Sequence, residues 1–301
     1  MPKPRTFTLF ILFTVLFLFY PGDTRYYRLF SENRALFESK PVSAQTITNP
    51  VPYLRYQSYP PVTAEGIYVV DLPSFTPVFA KDENKTFLPA STTKIITALV
   101  ATDIYKPDDV ITVRRVVEEG QTMGLVINEK ITAENLLYGL LIHSGNDAAY
   151  ALADGFGYDK FVLLMNDKAK TLGMTASHFS NPAGLDDSLQ LTTPFDLTLA
   201  SRALLNDHFL RRIVAIKEIT IADVDFKYFH RLSNVNKLLG EIQGIGGLKT
   251  GYTENAGENL VSFYKYQEHQ YIIVLLKSLD RFDDTKKIVS WIDTNVDYLT
   301  P

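Results

Sequence analysis

Gly66-Ile67-Tyr68-Val69-Val70-Asp71 is an apolar run rich in β-branched side chains, and it reads as a β-strand. Pro77-Val78-Phe79-Ala80 follows as its hairpin partner across the Pro73-Ser74 turn. Further strand-like runs lie near the other end of the chain, around residues 247–251, 260–266 and 271–278. Helical patterns fill the interval. In residues 91–105, Ile95, Ile96, Leu99 and Val100 supply an apolar face of 3.6-residue period. Thr132 is placed to cap a second helix through Leu136, Leu137, Leu140 and Leu141. A third covers residues 158–172 and stops at Gly173, a fitting C′ residue. Thr193 with Pro194 behind it opens a fourth, to about Leu205, and a last one starts near Asp283. Strands at both ends with helices between them give an α/β (α+β) domain whose sheet joins distant segments. A helical insert occupies the middle.

The 301 residues are 46% hydrophobic and 21% charged, the composition of a folded globular chain with a sizeable core. Lys and Arg number 30 against 34 Asp and Glu, with no long run of one sign, which disfavours a nucleic-acid partner. The absence of cysteine excludes disulfides, thiolate metal sites and cysteine nucleophiles together. Lys3 and Arg5 precede an apolar run over residues 7–20, interrupted by Thr8 and Thr14 and ended by Pro21-Gly22-Asp23. The run suits a secretory signal, and a membrane span needs roughly 17–25 apolar residues. No small-x-small cleavage site follows closely; Val42-Ser43-Ala44 lies far downstream. The expectation is an uncleaved anchor (residues 1–20) with the rest on the outer face of the membrane, cleavage and a free exported protein being the alternative. Residues 21–62, with Asn49-Pro50-Val51-Pro52 and Tyr59-Pro60-Pro61, read as a linker, or else as an arm docked through its tyrosines. Residues 63–299 are then the main folded domain, the part in which any chemistry must lie.

Three short motifs carry chemistry. Ser91-Thr92-Thr93-Lys94 puts a hydroxyl and an amine three residues apart at a helix start, on one face. A serine needs a base to become a nucleophile, and a lysine serves once burial and neighbouring positive charge lower its pKa. Taken alone, a serine N-cap and a solvated lysine would explain this motif as well. Ser144-Gly145-Asn146 joins two helical stretches and can present a hydroxyl and a carboxamide to one cleft; the bland alternative is a helix–helix turn. In Lys249-Thr250-Gly251 a cation and a hydroxyl stand beside a glycine, so a substrate carboxylate could lie against the strand. A phosphate-binding loop fails on spacing, because Leu248 separates Gly247 from Lys249.

Together, and in this order, the motifs resemble the signature of penicillin-binding proteins and β-lactamases. With S-G-N in the middle, the chain is similar to the low-molecular-mass D-alanyl-D-alanine carboxypeptidases, the S11 serine peptidases. The resemblance extends to Leu88-Pro89-Ala90, Asp147-Ala148-Ala149, Asn181-Pro182-x-Gly184-Leu185-Asp186, Asn234-x-Asn236-Lys237-Leu238-Leu239, Tyr252-Thr253 and Arg281-Phe282-x-Asp284-Thr285-Lys286-Lys287. It covers residues 63 to 297. It implies a transpeptidase-like fold, an antiparallel sheet flanked by helices with an all-helical subdomain and the active site between them. It also implies roles. Ser91 would attack the penultimate D-alanine carbonyl of peptidoglycan stem peptides, with Lys94 as base. Ser144 would relay the proton, and Asn146 would hold Lys94 and the substrate amide. Lys249 and Thr250, beside Gly251, would bind the terminal carboxylate, with Arg281 a secondary candidate. The N–H groups of Ser91 and Tyr252 would form the oxyanion hole, and β-lactams would acylate Ser91. No cofactor or metal is implied, and His143 and His178 stand isolated, without a ligand pattern. Many relatives carry a C-terminal amphipathic helix. None follows the last helix here, so membrane attachment is expected from the N-terminal segment.

Rivals remain at this level. A class A β-lactamase needs a deacylating glutamate in an E-x-x-L-N context, and neither Glu218 nor Glu241 has it. Endopeptidase action on cross-links is closer. A non-catalytic wall-binding protein would have no physical need of all six polar motif residues.

Overall fold

The computed structural model describes residues 9, 11–15 and 50–299. Residues 1–49 and 50–301 form separate units. In the first, residues 9 and 11–15 are helical and exposed, and the rest of the expected anchor and of the linker up to residue 49 lies outside the described residues. No helix among the described residues is long and apolar enough to cross a membrane.

The second unit is built on a five-stranded antiparallel sheet. Its strands are β2 (Gly66–Asp71), β3 (Pro77–Lys81), β8 (Ile245–Thr253), β9 (Gly257–Tyr266) and β10 (His269–Ser278), in the order β3-β2-β10-β9-β8. Strand β2 pairs directly with β10, Tyr271 opposite Asp71 and Leu276 opposite Gly66, so the sheet does join the two ends of the chain. Side chains alternate across it with the strand period of two. Tyr68, Val70, Val261, Ile272 and Val274 face a large helical layer, whereas Ile67, Val69, Leu260, Ile273 and Leu275 pack on α7 (Arg281–Asn295) through Ile288, Trp291 and Ile292.

The helical layer comprises α1 (Lys94–Ile104), α2 (Ala133–Leu141), α3 (Asn146–Phe156), α4 (Tyr158–Thr171), α5 (Pro194–Asn206) and α6 (His208–Val214). Helix α1 is buried almost throughout, which explains its apolar face. The expected caps form: Thr132 Oγ1 accepts from Asn135 N at 3.2 Å, and Thr193 Oγ1 from Asp196 N at 3.0 Å. Two small hairpins carry no clear sequence signal: β4 (Val110–Thr112) with β5 (Lys130–Thr132), and β6 (Glu218–Ala222) with β7 (Phe229–Ser233).

The linker boundary at residue 62 needs correction, because the described end of that stretch is docked. Strand β1 (Val51–Leu54) pairs antiparallel with β11 (Val296–Leu299). Arg55 meets Asp297 at 2.9 Å, Trp291 Nε1 donates to Ser58 O at 2.7 Å, and the Tyr59 ring lies 5.6 Å from that of Phe79. Pro52 disguises the strand in the sequence, yet a two-stranded ribbon tolerates a residue without an N–H. The arm alternative describes residues 50–62 better than the tether.

Candidate active site

The site begins with a backbone conformation. Ala90–Thr93 forms one 3₁₀ turn that runs into α1, so Ser91 is not the N-cap of an α-helix. In a 3₁₀ turn side chains at i and i+3 eclipse, which brings Lys94 over Ser91. Ala90 sits at φ 48°, a left-handed conformation that costs a non-glycine residue energy and needs support from its surroundings. That support is visible. Asn259 Nδ2 donates to Leu88 O and Pro89 O at 2.9 and 3.0 Å. Gly184, at φ 83°, passes so close that a Cβ there would lie 1.9 Å from Ala90 O. On the opposite side, a Cβ on Gly251 would lie 3.0 Å from Ser91 N; the glycine of the third motif lets β8 run against the serine.

Lys94 is wholly buried, and its Nζ lies 2.8 Å from Ser91 Oγ, 2.7 Å from Asn146 Oδ1 and 2.6 Å from Ala183 O. Burial first, and the charge of Lys249 second, hold its pKa well below the ordinary lysine value, against a smaller opposing pull from Asp147. A neutral amine has two hydrogens and one lone pair. The Asn146 and Ala183 oxygens can only accept, so they take the hydrogens and the lone pair is left facing the Ser91 hydroxyl. That is the arrangement of a base.

Across the cleft, Lys249 Nζ donates to Ser144 Oγ at 2.8 Å and to Thr250 O at 3.0 Å. Its pKa is lowered to about 7, by burial and then by the charge of Arg281. Arg281 donates to Gly251 O at 2.6 Å and thereby joins the third motif. Ser144 is itself left-handed, at φ 64°, on the turn into α3. A cleft of about 360 Å³ is lined by Ser91, Ser144, Asn146, Thr250, Gly251, Tyr252 and Arg281 among others. The three motifs and Arg281 thus meet in one place.

One contact differs from expectation. Asn146 Nδ2, expected to hold a substrate amide, donates to Glu119 O at 2.7 Å. Several positioning groups, some of them within the quoted motifs, make contacts that the sequence does not show. Asp147 accepts from the amides of Met123, Gly124 and Leu125 at 2.9–3.1 Å, shaping a loop that brings Glu119, Gly120 and Gln121 to the cleft. Asn181 Oδ1 accepts from Gly184 N and Leu185 N, and Gln190 ties that turn to Thr93 Oγ1 at 2.9 Å; together they present Ala183 O to Lys94. Asp186 bonds Thr253 Oγ1 and Asn255 Nδ2, at 2.7 and 2.9 Å, and so links this turn to the end of β8. Asp187 accepts from Leu189 N within its own loop. His143 pairs with Gln121 and His178 with Leu189 O.

Known proteins resemble this chain in sequence and in fold. A family model described as D-alanyl-D-alanine carboxypeptidase, peptidase S11, matches residues 55–279. The D-alanyl-D-alanine carboxypeptidase DacD of Salmonella typhimurium is 31% identical over 80% of this chain and 66% of its own length. DacB2 of Mycobacterium tuberculosis is 33% identical over 72% of this chain and 75% of its own. The chain spans 58% to 66% of the length of DacD, Escherichia coli DacC and Bacillus subtilis DacF. Among solved structures, the Streptomyces K15 DD-transpeptidase superposes with a TM-score of 0.73 at 29% identity, over 78% of this chain and 98% of that one. A D-alanyl-D-alanine carboxypeptidase from Mycobacterium tuberculosis gives 0.75 at 30% identity, over 81% and 94%.

Proposed function

This chain belongs to the peptidase S11 family of D-alanyl-D-alanine carboxypeptidases, and on that premise we propose that it removes the terminal D-alanine from peptidoglycan stem pentapeptides through a Ser91 acyl-enzyme. The observation that carries the reading is the environment of Lys94 Nζ: two obligate acceptors and one hydroxyl. Lys94 takes the Ser91 proton as Oγ attacks the penultimate D-alanine carbonyl. The N–H groups of Ser91 and Tyr252 receive the developing oxyanion. Lys249 donates to Ser144, which leaves the Ser144 hydroxyl hydrogen free to pass a proton from Lys94 to the departing amine. The peptide C–N bond breaks and D-alanine leaves. Water then attacks the ester, Lys94 takes its proton and returns it to Ser91 Oγ, and the shortened peptide is released.

Lys249, Thr250 and Arg281 bind the terminal carboxylate, the first two through charge-assisted or hydroxyl donors. β-Lactams enter the same cleft and leave Ser91 acylated. The domain works outside the cytoplasm, held to the membrane by residues 1–20. D-Alanine release from a synthetic stem pentapeptide tests the activity, and no release by wild type would refute it. Amino-terminal sequencing of the mature protein tests the anchor, and a start beyond residue 20 would exclude it.

A further inference from the structure

Behind the cleft lies a buried pair that the mechanism above does not use. Glu129 and His230 have side chains only 0% and 5% exposed, with His230 Nε2 2.7 Å from Glu129 Oε1. Glu129 immediately precedes β5, and His230 lies on β7. Both groups also hold the loop between β4 and β5. His230 Nδ1 lies 3.1 Å from Met123 O, and the second Glu129 oxygen accepts from Val126 N at 2.9 Å. Because a carbonyl can only accept, Nδ1 carries a hydrogen. The contact with Glu129 is then completed by one proton between Nε2 and Oε1. Every polar atom of the pair is engaged, and the contacts to Met123 and Val126 fix this loop.

The other end of the same loop sets Asn146. Glu119 O accepts from Asn146 Nδ2 at 2.7 Å, and Gln121 O accepts from Asn146 N at 2.7 Å. The Glu119 carbonyl decides which way the carboxamide points: with Nδ2 taken, Oδ1 must face Lys94 Nζ, at 2.7 Å. Were Glu119 O to move away, the amide could turn its N–H₂ toward Lys94, and the amine would lose an acceptor. Asp147 accepts from Met123, Gly124 and Leu125 N, while His230 and Glu129 engage the two sides of the same stretch, Met123 O and Val126 N, from β7 and from just before β5. Val224 N, donating to Lys130 O at 2.7 Å, keeps the β6–β7 hairpin beside β5.

We infer that Glu129 and His230 are positioning residues that lock the 119–126 loop so that Asn146 presents its oxygen to Lys94. The inference rests on the serine–lysine reading above. Neither residue touches substrate, so breaking the pair lowers the acylation rate constant and leaves initial β-lactam binding nearly unchanged.

The experiment measures penicillin acylation kinetics of the full chain, separating initial binding from the acylation step. Glu129→Ala should slow acylation by about tenfold. Glu129→Gln should restore it to within about threefold of wild type, since its oxygen still accepts from Val126 N and its amide can donate to Nε2. In an Asn146→Ala background, Glu129→Ala should cost less than about twofold more, because the residue it acts through is gone. Equal losses in both backgrounds, or wild-type acylation by Glu129→Ala, would overturn the inference. If Glu129→Ala does not fold, His230→Ala, which keeps the Val126 bond, takes its place in the same cycle, and the same outcomes support or overturn the inference. A wild type that penicillin does not acylate would instead overturn the serine–lysine reading itself.

Discussion

Two buried lysines on different elements each reach a serine that lines the cleft, and they differ in the other groups that each nitrogen touches. Lys94, on α1, is enclosed by Ser91 Oγ, Asn146 Oδ1 and Ala183 O, and its charge is opposed by burial and by Lys249. Lys249, on β8, touches Ser144 Oγ and Thr250 O and is lowered just to about 7. One residue type therefore yields two reagents. In the proposed mechanism Lys94, held well below the ordinary lysine value, takes protons, and Lys249, lowered to about 7, receives a carboxylate in its cationic form. Burial alone gives neither role, because both side chains are buried. The difference lies in what each nitrogen touches and which charge stands next to it.

The largest effect expected is for Lys94→Ala, which removes the base and should slow acylation by about 10²–10⁴-fold. Its far-UV circular dichroism should match wild type. Loss of helix in place of activity would make Lys94 a structural residue and erase the contrast.

Thr250→Val probes the other side. A hydroxyl donated to a carboxylate is worth about 1.5–3 kcal/mol, so kcat/KM on a stem pentapeptide should fall about tenfold or more. On the C-terminal amide the loss should be much smaller. Equal losses on both substrates would mean that the third motif does not read a carboxylate, and endopeptidase action would move ahead.

The titration of Lys249 sharpens the comparison. Only its cation offers a charge-assisted donor, so kcat/KM for the carboxylate substrate should decline as pH rises through about 7. Arg281→Gln removes a neighbouring positive charge and should move that limb to higher pH; an unmoved limb would detach Arg281 from Lys249. Stability carries the same signature. Between about pH 7 and the ordinary lysine value the unfolded chain binds a proton at this position that the folded chain does not. Wild type should therefore gain stability relative to Lys249→Met as pH rises across that window, by at most about 1.4 kcal/mol per unit. Below pH 7 the difference should be flat. Denaturant titrations of both proteins at several pH values would show it, and parallel curves would contradict a depressed Lys249.

What the sequence could disclose follows the range of the interactions involved. The sheet strands and α1, α2, α4 and α5 announce themselves through period and caps, as with Thr132 and Thr193. The motif residues are legible because their chemistry is local: Ser91 and Lys94 are three apart, and Ser144 and Asn146 two apart. Asp147, Gln190 and Asn259 give no sign of their positioning roles: Asp147 and Asn259 hold backbone distant in sequence, Gln190 reaches the distant Thr93 hydroxyl, and none leaves a local pattern. Residues 119–121 sit in an exposed polar loop without a period, so nothing marks Glu119 O as the acceptor that orients Asn146. The left-handed turns at Ala90 and Ser144 are equally hidden, because neither residue type advertises positive φ. At Ala90, Asn259 and Gly184 supply the tertiary support that lets the turn persist.

The reading of Ser91 as the nucleophile paired with Lys94 is tested most directly by intact-mass spectrometry after incubation with penicillin. Wild type should gain one covalent equivalent, mapped to Ser91, and Ser91→Ala should gain none. An unchanged wild-type mass, or an adduct that survives in Ser91→Ala, would contradict it.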